Sequence, residues 1–211
     1  MVHISTLSSL AMLAMATSAT PLPADLSPRQ LLGGASSSCK PIMVIFARGT
    51  TEVGDLGTVA GPPFQTALNA KFPGQVSMQG VPAPAYPADV PGYLAGGSAT
   101  GASKMAEMVK DAATNCPDAK IIMSGYSQGG QLVHKAGAQL DSQTASRVAG
   151  AVIFGDPDNP KPVENVQNLK VFCAAGDLIC AGQPVILAPH LSYGANAGAA
   201  ADFVAQVTGG N

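Results

Sequence analysis

The chain has 211 residues, of which 46% are hydrophobic and only 11% are charged. Its 11 basic residues are balanced by 13 acidic ones, which gives a formal net charge of −2. Proteins that follow a nucleic-acid backbone carry a basic surface, so this composition excludes that class. The apolar fraction is also too high, and the net charge too low, for an intrinsically disordered chain. We therefore expect one compact domain that does not bind nucleic acid.

The first 38 residues form two segments that we expect to precede the folded domain. Residues 1–19 are a short apolar run that ends in small residues (Ala14-Met15-Ala16 and Thr17-Ser18-Ala19), a pattern typical of a signal peptide. A membrane anchor needs about 20 uninterrupted apolar residues, and Ser and Thr break this run. Residues 20–38 are rich in Pro, Ser, Ala and Gly without periodicity, which indicates a pro-segment or linker. We expect a secreted, extracellular protein whose folded domain spans 39–211.

Short apolar runs alternate with helical patterns along this domain. Five runs bounded by Gly, Pro or polar residues predict buried parallel strands: Pro41–Ala47, Gln75–Met78, Lys120–Ser124, Val148–Phe154 and Leu169–Cys173. Apolar residues spaced three or four apart predict helices between and after them, around residues 64–72, 105–112, 132–140 and 203–207. The alternation predicts a three-layer α/β sandwich around a central, mostly parallel five-stranded sheet with right-handed crossovers.

Four cysteines lie in the domain, and export to an oxidising compartment predicts two disulfides. A zinc site is the alternative, but such sites favour closely spaced ligand pairs and no C-x-x-C pair is present. Cys39 and Cys116 each precede a predicted strand, at one edge of the sheet, where neighbouring strands are about 4.8 Å apart. Cys173 ends a strand, so roughly 17–20 Å separates it from that edge. We therefore predict the bridges Cys39–Cys116 and Cys173–Cys180.

One serine lies in a pattern typical of a catalytic nucleophile. Gly125-Tyr126-Ser127-Gln128-Gly129 matches G-x-S-x-G, in which the glycines allow a sharp turn from a strand into a helix. The match is weak by itself, but a predicted strand precedes it and an amphipathic pattern over 130–140 follows it. Ser127 is therefore the candidate nucleophile, and a structural glycine-rich turn is the alternative.

A serine hydroxyl needs a base to remove its proton, and histidine is the usual one. Of the three histidines, His3 belongs to the expected signal peptide. His134 is seven residues along the helix from Ser127, about 10 Å away by helix rise, and we expect it to be an exposed helix residue. His190 follows the last predicted strand, from where a loop can return to the carboxyl edge of the sheet, so it is the candidate base.

The acid that orients the histidine is expected between Ser127 and His190 in the chain. Asp177 is the best candidate because it follows a strand and lies inside the ring that Cys173–Cys180 would close. Asp156 competes with it, since it also follows a strand, although it could be a turn residue before a proline. The remaining acids in this interval, Asp141, Asp158 and Glu164, have the features of ordinary solvated charges.

Acyl transfer also needs hydrogen-bond donors for the developing oxyanion. The backbone N–H of Gln128, at the start of the helix, is one candidate donor. The loop Arg48-Gly49-Thr50-Thr51-Glu52 can supply a second, and a simple turn with a capping threonine is the alternative for that loop. Chemistry of this kind requires no cofactor and no metal.

Three stretches together resemble a known family. They are residues 47–52 (ARGTTE), residues 125–129 (GYSQG), and Cys173-Ala-Ala-Gly-Asp177-Leu-Ile-Cys180 followed by Ala188-Pro189-His190-Leu191. They look like fungal cutinases. The resemblance implies an α/β-hydrolase-type fold, the triad Ser127, Asp177 and His190, and an oxyanion hole of Thr50 and Gln128. The 49 residues between Ser127 and Asp177 and the 12 between Asp177 and His190 leave no room for a lid domain. It also implies hydrolysis of cutin, related polyesters or short-chain esters. Cutinases usually carry Ser at position 50; Thr keeps the hydroxyl, but its methyl group restricts the rotamer.

Two apolar stretches bear on the substrate. Val81–Leu94 and Pro184–Ala188 are expected to line an open cleft, with Ile186 and Leu187 as a substrate lip; partly buried loops are the alternative. Acetylxylan esterases share the fold and triad, and a non-catalytic secreted surface-binding protein is the non-enzyme alternative. We expect a monomer that acts on a polyester or small ester and does not associate with membranes.

Overall fold

The computed structural model describes residue 1 and residues 39–210. The expected signal peptide, apart from its first residue, and the whole expected pro-segment lie outside the described residues.

Among residues 39–210, five strands form a single sheet in which every neighbouring pair is parallel. They are β1 (Ile42–Ala47), β2 (Val76–Gly80), β3 (Lys120–Tyr126), β4 (Val148–Phe154) and β5 (Leu169–Phe172), in the order β2-β1-β3-β4-β5. The predicted five-stranded α/β architecture is confirmed. β3 is two residues longer than its apolar run indicated, because Gly125 and Tyr126 continue the pairing with β1 and β4.

Both faces of the sheet are covered, which explains why its strands are continuous apolar runs. In β1 all six residues are buried. Ile42, Val44 and Phe46 belong to the core on one face, whereas Met43 and Ile45 belong to the core on the other. This alternation follows from the two-residue period of a strand.

Across the described residues 39–210, six α-helices accompany the sheet. They are α1 (Gly61–Lys71), α2 (Val90–Leu94), α3 (Ala99–Asn115), α4 (Gln128–Gly137), α5 (Ser142–Ala145) and α6 (Ala197–Thr208). α1 and α6 pack on one face of the sheet, and α3 and α4 on the other. Within residues 39–210, none of them has the length and apolar composition that a bilayer crossing requires.

Two short helices were not predicted, because five and four residues are too few to show a helical period. Each begins at an aspartate that caps it: Asp89 accepts a hydrogen bond from the Gly92 N–H, and Asp141 from the Thr144 N–H. These caps are the sequence signal that could have located α2 and α5.

The two disulfides lie at opposite edges of the sheet. Cys39–Cys116 joins the start of β1 to the end of α3, and Cys173–Cys180 closes a short ring directly after β5. Both pairings are those expected from the order of the strands. The short ring fixes the ends of the segment that carries Asp177.

The carboxyl ends of four strands meet along one edge of the sheet. Ala47 pairs with Gly125, Tyr126 with Phe154, and Phe154 with Phe172. The strand order changes direction at β1, because β2 lies on one side of it and the later strands lie on the other. In parallel sheets, ligands bind outside the carboxyl ends at such a switch point. The loops after β1, β3, β4 and β5 therefore carry the candidate site.

Candidate active site

Ser127 occupies a strained turn between β3 and α4. Its φ of 56° and ψ of −122° lie where side chains other than glycine are seldom found. Its N–H donates to the Phe154 carbonyl at 2.9 Å, and its own carbonyl accepts from the Gly130 N–H at 2.7 Å. These two bonds hold the turn at the carboxyl edge of β4.

The two glycines of the pattern are required by close backbone approaches. A Cβ at Gly125 would collide with the Gly129 carbonyl, and a Cβ at Gly129 would collide with the Ala47 carbonyl. Any larger residue would push α4 away from β3 and β1. The glycines therefore let α4 begin directly against the strand ends, with Ser127 at its first turn.

His190 and Asp177 form a buried pair at the same edge. The His190 Nδ1 and Asp177 Oδ2 atoms are 2.8 Å apart, and the two residues are 1% and 4% exposed. His190 lies on a 3₁₀ turn, Ala188–Leu191. Its Nε2 is buried and has no hydrogen-bond partner among the described residues, so it is not bonded to Ser127 Oγ there. The imidazole thus presents one oriented nitrogen and one free nitrogen.

Asp177 is stabilised as a carboxylate by three donors. Besides His190, the Tyr193 hydroxyl donates to Oδ2 at 2.5 Å and the Ile179 N–H donates to Oδ1 at 3.0 Å. Burial raises the pKa of Asp177. The hydrogen bonds from His190 and Tyr193, the charge of His190 and the Ile179 N–H outweigh burial and leave the pKa below its usual value. Asp177 is therefore ionised at neutral pH and able to stabilise a protonated His190.

His190 is held over the turn that follows β4. The Tyr126 ring stacks on it with centroids 5.1 Å apart, and the Tyr126 hydroxyl donates to the His190 carbonyl at 2.9 Å. Gly155 lies against the ring with a φ of +58°, and a Cβ there would come within 2.8 Å of the His190 Cε1. Since Gly155 follows Phe154, whose carbonyl binds the Ser127 N–H, the strand end brings serine and histidine to one place.

The loop after β1 is organised by a buried arginine and a glutamate. Arg48 donates to the carbonyls of Glu52 at 2.9 Å and Tyr86 at 2.7 Å, and it is only 3% exposed. The Glu52 carboxylate accepts from the Gly49 N–H at 2.7 Å and the Val59 N–H at 2.8 Å. These bonds fix the backbone on both sides of Thr50. Sequence analysis did not identify Arg48 and Glu52 as the residues that fix this loop.

The Gln128 side chain links this loop to the serine turn. Its Nε2 donates to the Asp89 carbonyl at 2.6 Å and to the Thr50 Oγ1 at 3.4 Å, and the residue is fully buried. Gln128 is also the first residue of α4, where backbone N–H groups have no partner within the helix. The two candidate donors, Thr50 and Gln128, are thus brought together beside Ser127.

A second histidine–aspartate pair lies elsewhere at this end of the molecule. The His134 Nε2 and Asp156 Oδ2 atoms are 2.9 Å apart, with side chains 10% and 0% exposed. The expectation of an exposed His134 is therefore wrong, because α4 turns this residue toward the loop after β4. Asp156, the competing candidate acid, is bonded to His134 rather than to His190.

The apolar stretches near the site differ in exposure. Ile186 and Leu187 are 58% and 45% exposed. In the other stretch, Val81 and Tyr86 are fully buried, and the Tyr86 hydroxyl donates to the Arg48 carbonyl. The exposed residues of this stretch, which include Pro84 and Pro87 as well as Val90 and Leu94 in α2, can contribute to an open cleft. Among the described residues, no group of three or more His, Cys, Asp or Glu side chains is arranged to hold a metal ion.

Over most of its length the chain is similar to proteins of one family. A family model described as Cutinase matches residues 38–208. A cutinase of Monilinia fructicola is 55% identical over 174 residues, covering 82% of this chain and 85% of the relative. The structure of a Trichoderma reesei cutinase in complex with a C11Y4 phosphonate inhibitor is 39% identical, with a TM-score of 0.76, covering 81% of this chain and 77% of that chain.

The fold is shared more widely than the family. An acetylxylan esterase structure is 24% identical, with a TM-score of 0.66, and covers 81% of this chain and 100% of that chain. At that identity the likeness concerns the fold alone.

Proposed function

The chain belongs to the cutinase family and is a carboxylic ester hydrolase, and on that premise we propose that it is a secreted serine esterase with the triad Ser127, His190 and Asp177. Its proposed substrates are cutin, related polyesters and short-chain esters. One observation carries the mechanism: a buried imidazole is bonded to a carboxylate through Nδ1, and its Nε2 is left free beside a strained serine turn. It supports a triad because the general base of acyl transfer needs its Nδ1 on a carboxylate and its Nε2 available to the serine hydroxyl.

In the acylation step, Ser127 Oγ attacks the carbonyl carbon of the ester while His190 Nε2 takes the hydroxyl proton. The carbonyl oxygen becomes an oxyanion that accepts hydrogen bonds from the Gln128 and Thr50 backbone N–H groups. The carbon–oxygen bond to the alcohol then breaks, and His190 returns its proton to the leaving alkoxide. The products of this step are a free alcohol and an ester between the acyl group and Ser127.

In the deacylation step, water replaces the alcohol. His190 Nε2 takes a proton from water, the hydroxide oxygen bonds to the acyl carbon, and Ser127 Oγ leaves with that proton. Asp177 stays ionised throughout and holds the Nδ1–H, so that Nε2 remains the nitrogen that exchanges protons. The carboxylic acid departs and the free enzyme is restored.

The distribution of exposed apolar side chains supports a water-insoluble substrate. In the part of the chain from 39 to 210, the large hydrophobic residues that remain exposed all lie in the connections after the carboxyl ends of β1, β2 and β5, including α2 and the 3₁₀ turn Ala188–Leu191. They are Val53, Val90, Leu94, Val185, Ile186, Leu187 and Leu191. An apolar rim confined to the active-site edge is suited to a solid polyester, because each methylene group it removes from water contributes about 0.8 kcal/mol. This observation favours a polyester over acetylated xylan, whose surface is polar.

Secretion and processing belong to the same proposal. Residues 1–19 are proposed as a signal peptide, 20–38 as a pro-segment or linker and 39–211 as the catalytic domain. The two disulfides support export, because such bonds persist in oxidising compartments. The proposed enzyme is also a monomer that does not bind nucleic acid.

The proposal is tested by comparing the wild-type protein with Ser127→Ala on p-nitrophenyl butyrate and on cutin. Loss of the nucleophile should reduce kcat by about 10⁴-fold or more, with an unchanged circular dichroism spectrum. A reactive phosphonate ester should add one adduct mass to the wild-type chain, on Ser127, and none to the variant. A folded variant that kept a tenth of the rate would rule out the assigned nucleophile. Faster release of acetate from xylan than of hydroxy acids from cutin would instead favour an acetylxylan esterase.

A further inference from the structure

The mechanism above assigns no part to Tyr193, although this residue touches the triad most closely. Tyr193 is fully buried on the 3₁₀ turn Tyr193–Asn196, three residues after His190. Its hydroxyl donates to Asp177 Oδ2 at 2.5 Å and accepts from the Ala174 N–H at 3.0 Å. The hydroxyl therefore bonds both ends of the turn from Ala174 to Asp177, which is itself closed by a bond from the Asp177 N–H to the Ala174 carbonyl.

Two hydrogen-bond donors share one oxygen atom of Asp177. Oδ2 accepts from both His190 Nδ1 and the Tyr193 hydroxyl, whereas Oδ1 accepts from the Ile179 N–H. All hydrogen-bond donors to one carboxylate interact with the same negative charge. Each donor therefore weakens the hydrogen bonds that the carboxylate forms with the other donors. The charge available to a protonated His190 thus depends on whether the hydroxyl is present.

We propose that Tyr193 is a positioning residue of the reaction: its hydroxyl holds Asp177 in place and limits how strongly Asp177 retains the proton of His190. This inference rests on the proposed triad. Without the hydroxyl, Asp177 would bind the imidazolium more tightly, and the histidine would stay protonated to a higher pH. The serine proton could then be accepted only at higher pH.

The other titratable groups around the pair do not replace this role. Tyr126 stacks on His190, but its hydroxyl donates to a backbone carbonyl. The negative charge of Asp177 raises the pKa of Tyr93 and of Tyr126, but neither hydroxyl donates a hydrogen bond to Asp177. The charge of Asp158 also raises the pKa of Tyr93. The charge of Glu52 raises the pKa of Tyr126, and the Glu52 carboxylate is bonded to backbone N–H groups. Burial and the Asp177 acceptor raise the pKa of Tyr193 well above its ordinary value, so Tyr193 itself stays protonated.

The test compares Tyr193→Phe with Tyr126→Phe. Both variants keep an aromatic ring against His190 and lose one buried hydroxyl, but only the first changes Asp177. For Tyr193→Phe we expect the acid limb of the kcat/KM profile on p-nitrophenyl butyrate to move to higher pH by about half a pH unit. We also expect kcat to fall roughly tenfold, within the hundredfold range of small misplacements, and KM to stay within about a factor of two. Tyr126→Phe should leave the acid limb in place.

A double variant separates this inference from the proposed function. In an Asp177→Asn background, where activity is low but measurable, Tyr193→Phe should no longer move the acid limb. An unmoved limb in the single Tyr193→Phe variant, with thermal unfolding showing an intact fold, would overturn the positioning role, as would an equal shift in Tyr126→Phe. If Asp177→Asn itself kept nearly full activity, the proposed triad would fail instead.

Discussion

In the described part of the chain, two histidine–aspartate pairs with little exposure to solvent are nearly alike in their local geometry. His190 and Asp177 are 2.8 Å apart, and His134 and Asp156 are 2.9 Å apart. Both aspartates follow strands that end at the same edge of the sheet, and both are almost completely buried. The distance and burial of such a pair therefore do not identify a catalytic site.

The pairs differ in the imidazole nitrogen that meets the carboxylate. Asp177 binds Nδ1 and leaves Nε2 of His190 free, next to the turn of Ser127. Asp156 instead binds Nε2 of His134, the nitrogen at the outer end of the side chain. A base that must take a proton from a nucleophile needs its outer nitrogen free, so only the first pair can serve Ser127.

The second pair ties the helix after the nucleophile to the loop after β4. Burial lowers the pKa of His134. The hydrogen bond and charge of Asp156, with contributions from Asp158 and the Pro162 backbone, outweigh burial and raise the pKa above its ordinary value. The ion pair with Asp156 thus gives His134 a structural role in the folded protein. A histidine–aspartate pair is therefore not specific to catalysis. The groups around the pair determine whether its histidine can act as a base.

Replacing each aspartate by asparagine should give the largest difference in activity between the two pairs. Asp177→Asn is expected to lower kcat by about 10⁴-fold, because the amide no longer selects the productive tautomer of His190 or stabilises its protonated form. Asp156→Asn should cost less than about tenfold, since its histidine takes no part in proton transfer. Both rates are measured on p-nitrophenyl butyrate with the fold verified by circular dichroism. A larger loss in Asp156→Asn would reverse the assignment of the acid.

The disulfide beside Asp177 offers a second contrast, because only this aspartate lies inside a covalent ring. Cys173→Ser with Cys180→Ser should lower kcat by roughly ten- to hundredfold at temperatures below unfolding, since Asp177 loses its fixed position. Cys39→Ser with Cys116→Ser should mainly lower the melting temperature. On the chain-entropy model, the long bridge contributes about 4.5 kcal/mol and the short one about 2.5 kcal/mol. Equal activity losses in the two variants would contradict this division.

A charge on the substrate lip should reduce hydrolysis of a solid polyester more than hydrolysis of a small ester. Ile186→Asp or Leu187→Asp is expected to reduce hydrolysis of solid polyester about tenfold, because a charged side chain resists burial against an apolar surface. Hydrolysis of p-nitrophenyl acetate should change less than about twofold, since a small ester needs the triad but little of the lip. Gln143→Asp, which adds the same charge at an exposed position of α5, is the matched control and should leave both rates unchanged. Equal losses on both substrates in a lip variant would exclude the proposed role.

The smallest effect is expected at the second pair and concerns stability rather than rate. The folded state raises the pKa of His134, so the pair contributes its full stabilisation below the unfolded pKa of about 6.5 and loses it as the pH rises through the folded pKa. His134→Gln should therefore reduce the free energy of unfolding by on the order of 1 kcal/mol at pH 5.5 and by less at pH 9. Urea unfolding at the two pH values measures this difference. A loss that grew with pH would contradict the raised pKa.

Much of the fold could be predicted because its signals are local. Strands buried on both faces must be apolar along their whole length, so the runs at 42–47 and 148–154 were visible without a partner. The apolar spacing at 105–112 located α3, although the helix itself extends over 17 residues, Ala99–Asn115. The short α2 and α5 were missed because their length falls below one clear period. The Ser127 turn was visible because two close backbone contacts, at Gly125 and Gly129, admit only glycine.

By itself, the sequence determined the order of strands and helices, the glycine pattern around Ser127 and the small set of histidines and acids available to it. Only the tertiary structure decided which aspartate meets which histidine, that Tyr86 is buried beneath Arg48, and that Tyr193 reaches Asp177. The physical reason is that a hydrogen-bond partner is chosen by the spatial order of strand ends and by side-chain direction. Neither is encoded in the spacing between residues that come together from different loops.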